Sequence, residues 1–360
     1  MAFSLFELSR FLGRKVALYT FVLGPLVRRY NTTDRELTIG GEVYKPGRGI
    51  SHSAIRDTAS SGKAEVKITI PAVLDPAATD TPPTQELLGW WRPYPPSSRV
   101  TVTIAETHLG DTDEEVFEVW SGRVIGPSFR DLEMVLTCDP SHSNPRTSGR
   151  ARRISRNCGV PLYSQGYGMC NLDPEPIATA AVVADVTGND VTLSFPATPA
   201  RPISGGPLEW VDSDEEPHAA EIVSVAGNVF TVDDAGNLTV DDEVTVYTDP
   251  LWFIATLTAD AAGLTLTAAE FATAPFGLEG GMIKWLSGDG LWETRNIRAH
   301  TADSIVIDYG HPDLVENLEV RTYWGCPHNL QACTERGNEI HYPGFVWLPV
   351  EDPMGRSQAW

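Results

Sequence analysis

Long apolar runs are absent from this 360-residue sequence. No stretch approaches the length of a membrane-spanning helix, so we predict no membrane anchor. The first twelve residues do not place an early Lys or Arg ahead of an uninterrupted apolar core, as a secretory signal would. Ser4 and Gly13 instead predict the start and the end of a short amphipathic helix. We therefore expect the chain to be made and kept in a cytoplasm, and any extracellular role to be reached by another route, such as release by lysis.

Positive charge is scarce. The chain has 27 Lys and Arg against 48 Asp and Glu, for a net charge of −21. An acidic surface repels phosphate backbones, so we predict no sequence-specific nucleic-acid binding. Apolar residues make up 42% of the chain, which is enough for a sizeable core and for two or three domains of ordinary size.

Motifs of catalysis are missing as well. The sequence contains no Gly-x-Ser-x-Gly, no His-Glu-x-x-His and no phosphate-binding glycine loop. Cys333 and His341 are the candidate pair for a thiol nucleophile and its base. Acidic groups at 111–115 and 212–216 lie in turn-like stretches without the spacing of an EF-hand, so we interpret them as solvated loops rather than Ca²⁺ sites.

Cysteine is rare, and its placement is uneven. There are five cysteines, and an odd number in a reducing compartment argues against a disulfide framework. Cys138 ends a predicted strand and is interpreted as a buried free thiol. The other four form two pairs, Cys158 with Cys170 and Cys326 with Cys333, which bracket about 150 residues of other sequence.

Four thiolates can hold zinc or an iron–sulfur cluster. The spacings are Cys-x11-Cys and Cys-x6-Cys, and neither is the tight knuckle typical of structural zinc. Ordinary buried cysteines are the remaining alternative. Arg146, Arg150, Arg152, Arg153 and Arg156 precede the first pair; they predict either a solvated basic segment or a positive field beside an anionic centre. Spacing alone does not choose the metal.

Strands dominate the predicted secondary structure, and the fold class is mainly β. Alternating apolar and polar residues bounded by turn residues recur along the chain, as half-buried strands require. In the N-terminal part, assigned to a β-domain of residues 1–140, they predict strands near Val16–Phe21, Glu36–Ile39, Ala64–Ile70, Arg99–Ile104, Glu115–Trp120 and Leu132–Cys138. The apolar segment Leu87–Trp91 in this domain is interpreted as core, with a docking face as the alternative.

An internal repeat fills the region between the cysteine pairs. Trp210 and Trp285 are 75 residues apart, and Ile222 and Ile297 share that offset. The same offset relates further pairs: Phe230 and Ile305, Val232 and Ile307, Asp233 and Asp308, and the Gly-Gly dipeptides at 205–206 and 280–281. The pattern predicts a duplicated small β-barrel or sandwich, with one copy in residues 176–250 and the other in 251–323.

The C-terminal motif resembles a known family. Gly325-Cys326-x6-Cys333, a short stretch with Arg336 and Asn338, and a Gly-Phe-x-x-Leu-Pro close at 344–349 are similar to the end of a phage conserved-hypothetical family. Its members are baseplate hub proteins of siphophages and gene transfer agents, and more distantly it resembles the lambda-like minor tail protein L. Upstream, the segments around Cys158 and Cys170 and the strand 117–124 also look like the family. The family often has Phe near positions 336 and 338, and its absence here puts the local helix in doubt.

This resemblance implies a structural, non-enzymatic role in the virion. The family's four-iron four-sulfur cluster would fall on Cys158, Cys170, Cys326 and Cys333, in a module of residues 141–175 and 324–360. The resemblance further implies a homotrimeric hub at the tail tip, assembled in the host cytoplasm. Its partners would be the distal tail protein, the tape measure protein and the central, receptor-binding fibre. The alternatives are a zinc-stapled tail protein and a tail-associated peptidoglycan hydrolase.

Two expectations concern the arrangement of that trimer. The apolar segment Leu87–Trp91 would make the hydrophobic contacts between subunits of the hub. The repeats would point outward, because an insertion inside the ring would obstruct the channel.

Overall fold

A computed structural model describes residues 13–55, 65–75, 77–111, 113–130, 132–141, 155–199, 201–212, 214–258, 264–274 and 277–347. The predicted helix between Ser4 and Gly13, and four of the five connector arginines, lie outside these ranges. The chain forms two compact units: one of Met1–Ala151, Trp285–Thr294 and Tyr309–Asp313, the other of Arg152–Lys284, Arg295–Asp308 and Leu314–Trp360. Within the described ranges, no helix is long and apolar enough to cross a membrane.

The first unit contains a nine-stranded sheet in the order β3-β4-β2-β1-β7-β8-β9-β6-β5. Its strands are β1 Lys15–Leu23, β2 Leu26–Asn31, β3 Leu37–Ile39, β4 Glu42–Pro46, β5 Ser51–His52, β6 Val66–Pro71, β7 Val100–His108, β8 Phe117–Arg130 and β9 Glu133–Pro140. Most neighbours are antiparallel; β2 and β4 are parallel. The mainly β prediction for this chain is confirmed.

Strand β1 illustrates how alternation builds the core on both faces of this sheet. Tyr19, Phe21 and Leu23 lie in the larger core cluster, whereas Val16 and Leu18 belong to a smaller one on the opposite face. Successive side chains of a strand point to opposite faces, so a nearly continuous apolar run here reflects burial on both sides.

The apolar segment Leu87–Trp91 is part of this core. Its first two residues are the last two of helix α1, Gln85–Leu88. The side chains of Leu87, Leu88 and Trp91 are 0%, 6% and 6% exposed. Its interpretation as core is confirmed. Leu87, Leu88 and Trp91 are covered by the unit's own core, so of this segment only Gly89 and the half-buried Trp90 have surface for the expected contacts between subunits, which stay a prediction. Sequence alone does not distinguish an apolar core segment from an apolar interface segment, because both are removed from water.

Glu86 fixes the opposite side of α1 to the sheet. Its carboxylate accepts hydrogen bonds from the Tyr30 hydroxyl at 2.9 Å and the Lys45 ammonium at 2.8 Å, and lies 3.5 Å from the Arg28 guanidinium. Burial raises the pKa of Glu86, but the bonds from Lys45 and Tyr30 and the positive charges outweigh it, so the net shift of this pKa is downward. The carboxylate is therefore held in its charged form.

The first repeat is a closed barrel in the order β10-β11-β14-β13-β12-β15. Its strands are β10 Ala178–Thr187, β11 Asp190–Ser194, β12 Pro207–Val211, β13 Pro217–Ala226, β14 Val229–Val232 and β15 Glu243–Tyr247. The second repeat is a six-stranded sheet in the order β16-β21-β18-β19-β20-β17. It contains β16 Trp252–Thr256, β17 Thr265–Thr267, β18 Met282–Leu286, β19 Trp292–Thr301, β20 Ser304–Ile307 and β21 Glu319–Tyr323, with helix α2, Ala269–Ala272, after β17.

The two repeats share one topology. Numbered within each copy, both read first-sixth-third-fourth-fifth-second, and in the barrel the first and second strands also pair. Matching backbone hydrogen bonds recur 75 residues apart: Ile222 N–H to Gly206 O and Ile297 N–H to Gly281 O are both 2.9 Å. Each copy also has a register shift after that isoleucine, in β13 and in β19. The duplication read from sequence is therefore also present in the strand pairing.

Both repeat tryptophans occupy the third strand of their copy and are buried. Trp210 is 6% exposed and Trp285 is 1% exposed. Trp210 stacks on His218 with ring centroids 5.4 Å apart and donates to Asn237 Oδ1 at 3.0 Å. Trp285 instead meets the His311 ring edge to face at 5.5 Å. The buried position is shared by the two copies, whereas the polar neighbours are different.

Candidate metal centre

The first cysteine pair lies in an irregular segment held by local hydrogen bonds. Asn171 Oδ1 accepts from the Gly166 N–H at 2.7 Å, and the Asn171 N–H donates to Ser164 O at 2.8 Å. Gly166 has φ of +119°, a conformation that a residue with a Cβ rarely adopts. This folded loop buries Cys170 to 8% exposure and leaves Cys158 half-buried.

The second pair follows strand β21 directly. Cys326 comes just after the strand, and Cys333 lies in helix α3, Leu330–Glu335. Asn329 caps this helix, because its side-chain oxygen accepts from the Ala332 N–H at 2.8 Å. The helix buries Ala332 and Cys333, and a 3-10 turn follows at Glu339–His341. The missing phenylalanines therefore do not prevent a helix here.

Gly325 permits the close approach that places Cys326. Its N–H donates to Gly277 O at 2.9 Å, and a Cβ at this position would overlap the Glu279 backbone carbonyl. Any larger residue would have to push two backbone segments apart. The glycine of the Gly-Cys motif thus has a steric role next to the first cysteine of the pair.

Hydrogen bonds bring the two cysteine pairs to one place. The Cys158 N–H donates to His328 O at 2.8 Å, and the His328 N–H reaches the Cys326 sulfur at 3.4 Å. On the other side, the Asn338 amide nitrogen lies 2.8 Å from Cys170 O and 3.8 Å from the Cys170 sulfur. The Asn338 N–H also donates to Cys333 O at 2.8 Å. Segments far apart in sequence therefore meet through bonds made at the cysteines themselves.

The electrostatics of Cys333 reflect the same meeting. Burial, together with the neighbouring Cys326, Cys158 and Cys170 thiols, raises the pKa of the Cys333 thiol to about 11, against an opposing effect of the Arg336 guanidinium. All three other thiols are thus near enough to influence this one. A raised thiol pKa is the opposite of what a thiolate nucleophile needs, so the pairing of Cys333 with His341 is not favoured.

Arg336 is a buried cation close to the second cysteine pair. It is 6% exposed, and its guanidinium donates to Ala332 O at 2.9 Å and to Gly325 O at 2.8 Å. These carbonyls belong to the residues next to Cys333 and Cys326. One side chain therefore fixes the geometry of the second pair and places positive charge where thiolates would be negative.

An apolar shell surrounds the first pair. Val160, Cys170, Leu172 and Leu251 form a buried cluster, with Cys158, Leu162, Tyr163, Met169 and Trp324 packed against it. The Tyr163 hydroxyl donates to Trp324 O at 2.8 Å, and burial raises its pKa. Across the residues the structure describes, no three His, Cys, Asp or Glu side chains stand close enough together to hold one metal ion. The four thiols are neighbours without forming a preformed single-ion site.

The other candidate residues have partners of their own. Cys138 is fully buried in the core of the first unit, and burial raises its pKa to about 12, as expected for a free thiol in a strand. His341 makes a 3.5 Å contact with Asn171. In the acidic loop at 212–216, the Asp212 carboxylate is occupied by bonds from His218, Asn237 and backbone N–H groups. These bonds explain that loop without a Ca²⁺ ion.

Asn338 and Arg336 were not predicted as parts of the centre. Both appeared in the sequence only as members of the stretch between the last cysteine and the closing motif. Their partners are carbonyls or sulfurs of other segments, so no local pattern marks them. The one usable signal is their position, three and five residues after Cys333, which places them at the end of a short helix that carries a cysteine.

Comparisons with known proteins found one family model, one sequence relative and one solved structure to report. Residues 277–352 match the family model described as "Phage conserved hypothetical protein BR0599", which includes the second cysteine pair and excludes the first. An "Uncharacterized protein" of Xylella fastidiosa (strain 9a5c) is 29% identical over 482 residues, covering 100% of both chains. A chain from the structure "Virion of native gene transfer agent (GTA) particle" is 14% identical, with a TM-score of 0.48, covering 98% of this chain and 94% of that chain.

Proposed function

We propose that this protein is a structural subunit of a phage-type virion, a baseplate hub at the tail tip, with a structural iron–sulfur centre. The convergence of two distant cysteine pairs carries the proposal, because the second pair lies within the part that matches a phage family. The hydrogen bonds at Cys158, His328 and Asn338 supply the geometry. The family resemblance supplies the hub role and the homotrimer.

Four cysteines in hydrogen-bonded segments support an iron–sulfur cluster over a single-ion site. Cys158, Cys170, Cys326 and Cys333 would hold it, one sulfur to each iron corner. The His328 N–H and the Asn338 amide already point at sulfurs, and such bonds stabilise thiolate ligands. The buried Arg336 guanidinium offsets part of the negative charge. Zinc is the alternative, and it requires all four sulfurs about 2.3 Å from one point.

Bound there, such a group would act as a cross-link and not as a reagent. It would join the segment before the repeats to the segment after them and so close a loop of about 150 residues. Cross-links that close long loops constrain the unfolded chain most in the entropy model. The repeats can then extend from the cysteine module without loosening it.

Disruption of the gene in a producing strain tests the virion role. We expect particles without functional tail tips, restored by the wild-type chain and by Cys138→Ser, but not by Cys170→Ser. Normal particle yield and infectivity without the gene would contradict the proposal. Muralytic activity of the purified chain that is abolished by Cys333→Ala would favour the hydrolase alternative instead.

A further inference from the structure

The outer face of the first repeat has a surface depression lined by a row of small and acidic side chains, here called the acidic row. Ala180, Thr245, Glu209 and Ala219 are direct cross-strand partners on β10, β15, β12 and β13. Their neighbours in sequence, such as Leu208 and Val244, point into the barrel, so this row points outward. The residues line a surface hollow of about 690 Å³, and Glu243 lines it as well.

The acidic charge in this hollow is fixed in place. Glu209 is exposed, and its carboxylate accepts a hydrogen bond from the Tyr247 hydroxyl at 2.8 Å. Ala180 and Ala219 on either side are exposed as well, so none of the residues that the structure describes covers them. Small side chains flanking an oriented carboxylate make a recess that a cationic or bulky group would fill.

The second repeat carries a basic, bulky row on its corresponding face. Ile254, Arg321 and Lys284 are cross-strand partners on β16, β21 and β18. The Arg321 guanidinium lies 4.6 Å from the Trp252 ring centroid, and the Lys284 ammonium lies 4.8 Å from that of Tyr323. These cation–π contacts order two long side chains on the sheet, which lowers the entropy cost of a further contact.

The two rows occupy equivalent places in the duplicated fold. Offsets of 74, 76 and 75 residues relate Ala180 to Ile254, Thr245 to Arg321 and Glu209 to Lys284. The same offsets are seen in backbone bonds: Asp241 N–H to Val183 O and Asn317 N–H to Leu257 O are both 2.8 Å. At every one of these positions a small or acidic residue in one copy is replaced by a large or basic one in the other.

We infer that the acidic row of one subunit receives the basic row of a second copy of this chain. Lys284 of one copy would meet Glu209 of the next, and Ile254 and Arg321 would fill the hollow beside Ala180 and Thr245. Because the two surfaces differ, the contact is head-to-tail, and such a contact gives a ring when the rotation between copies closes. Closure into a ring of three rests on the proposed function; the pairing of the rows does not. The pairing supplies a subunit contact that the buried Leu87, Leu88 and Trp91 side chains cannot make.

Charge exchange tests this pairing in the full-length chain. Sedimentation velocity over a concentration series should show assembly of the wild type, and raised salt should weaken it. Glu209→Lys or Lys284→Glu alone should raise the dissociation constant of the subunit contact at least about tenfold, because like charges then face each other. The double variant Glu209→Lys with Lys284→Glu should restore assembly, since every contact again pairs opposite charges.

Two further variants complete the design. Glu118→Lys, an exposed reversal on β8, changes the net charge equally and should assemble as the wild type. Ala180→Trp fills the hollow without changing charge and should block assembly. A wild type that stays monomeric, single reversals that assemble normally, or a folded double variant that fails to assemble would each overturn the inference. Iron content of every variant should equal that of the wild type, so loss of assembly with iron retained leaves the proposed function standing.

Discussion

Replacement of Arg336 by Met tests how much this side chain stabilises the segment that carries the second cysteine pair. The change removes a buried cation that donates to Gly325 O and Ala332 O and leaves both carbonyls without these donors. Each buried acceptor that loses its partner costs about 1–3 kcal/mol. Relief of the guanidinium's own desolvation offsets part of the loss. We therefore expect local stability to fall by about 2–4 kcal/mol, a large share of the ~5–15 kcal/mol typical of a folded domain.

Hydrogen exchange of peptides from residues 325–341 measures this loss locally, which suits a chain of two compact units. A loss of 2–4 kcal/mol corresponds to about 30-fold to 1,000-fold faster exchange at tenfold per 1.4 kcal/mol. Arg336→Lys keeps the positive charge but loses the two-pronged guanidinium donor, so its exchange rate should lie between those of the wild type and Arg336→Met. Arg298→Met, on the exposed face of β19, is the matched control and should change exchange little. Equal exchange in Arg336→Met and Arg298→Met would refute the role given to Arg336.

Two further predictions concern the folded units. Trp285→Ala should lower the free energy of unfolding by about 3–5 kcal/mol, because this side chain is 1% exposed, whereas Trp347→Ala, 94% exposed, should be nearly neutral; similar urea midpoints for the two variants would contradict the core position of Trp285. Glu86 has a lowered folded-state pKa, so its contribution is present above the unfolded pKa of about 4.3 and is lost as pH falls through the folded value. Glu86→Gln should therefore flatten the decline in stability below about pH 4.3, and parallel pH curves for the two proteins would argue against the network around this carboxylate.

Local patterns in the sequence carried much of the fold. Alternation predicted β1, β3, β6, β7, β8 and β9 of the first unit but missed β2, β4 and β5. Matching tryptophans and isoleucines predicted a duplicated β-unit with Trp210 and Trp285 in equivalent places. These two predictions worked because strand periodicity and duplication are recorded residue by residue along the chain. Bracketing of the repeats by cysteines predicted one ligand set of four thiols, and that set stays a prediction.

Other features depend on contacts that no local pattern records. The Leu87–Trp91 segment is equally apolar as a core or as an interface, and only the sheet packed on it decides between them. The Asn338 side-chain amide donates a hydrogen bond to Cys170 O, a residue far from it in the sequence. Closure of the barrel in the first repeat depends on the pairing of β10 with β11, which the shared sequence pattern does not predict. Domain boundaries at residues 140, 175 and 323 stay predictions.

Metal and acid-labile sulfide analysis of the anaerobically purified chain tests the central claim most directly. We expect about four irons and four sulfides per chain, as one four-iron cluster requires. Cys138→Ser should retain them, while Cys170→Ser should lose most of them, because only the second removes one of the four converging thiols. One zinc per chain without sulfide would contradict the iron–sulfur assignment. Equal metal content in both variants would contradict the account of the centre itself.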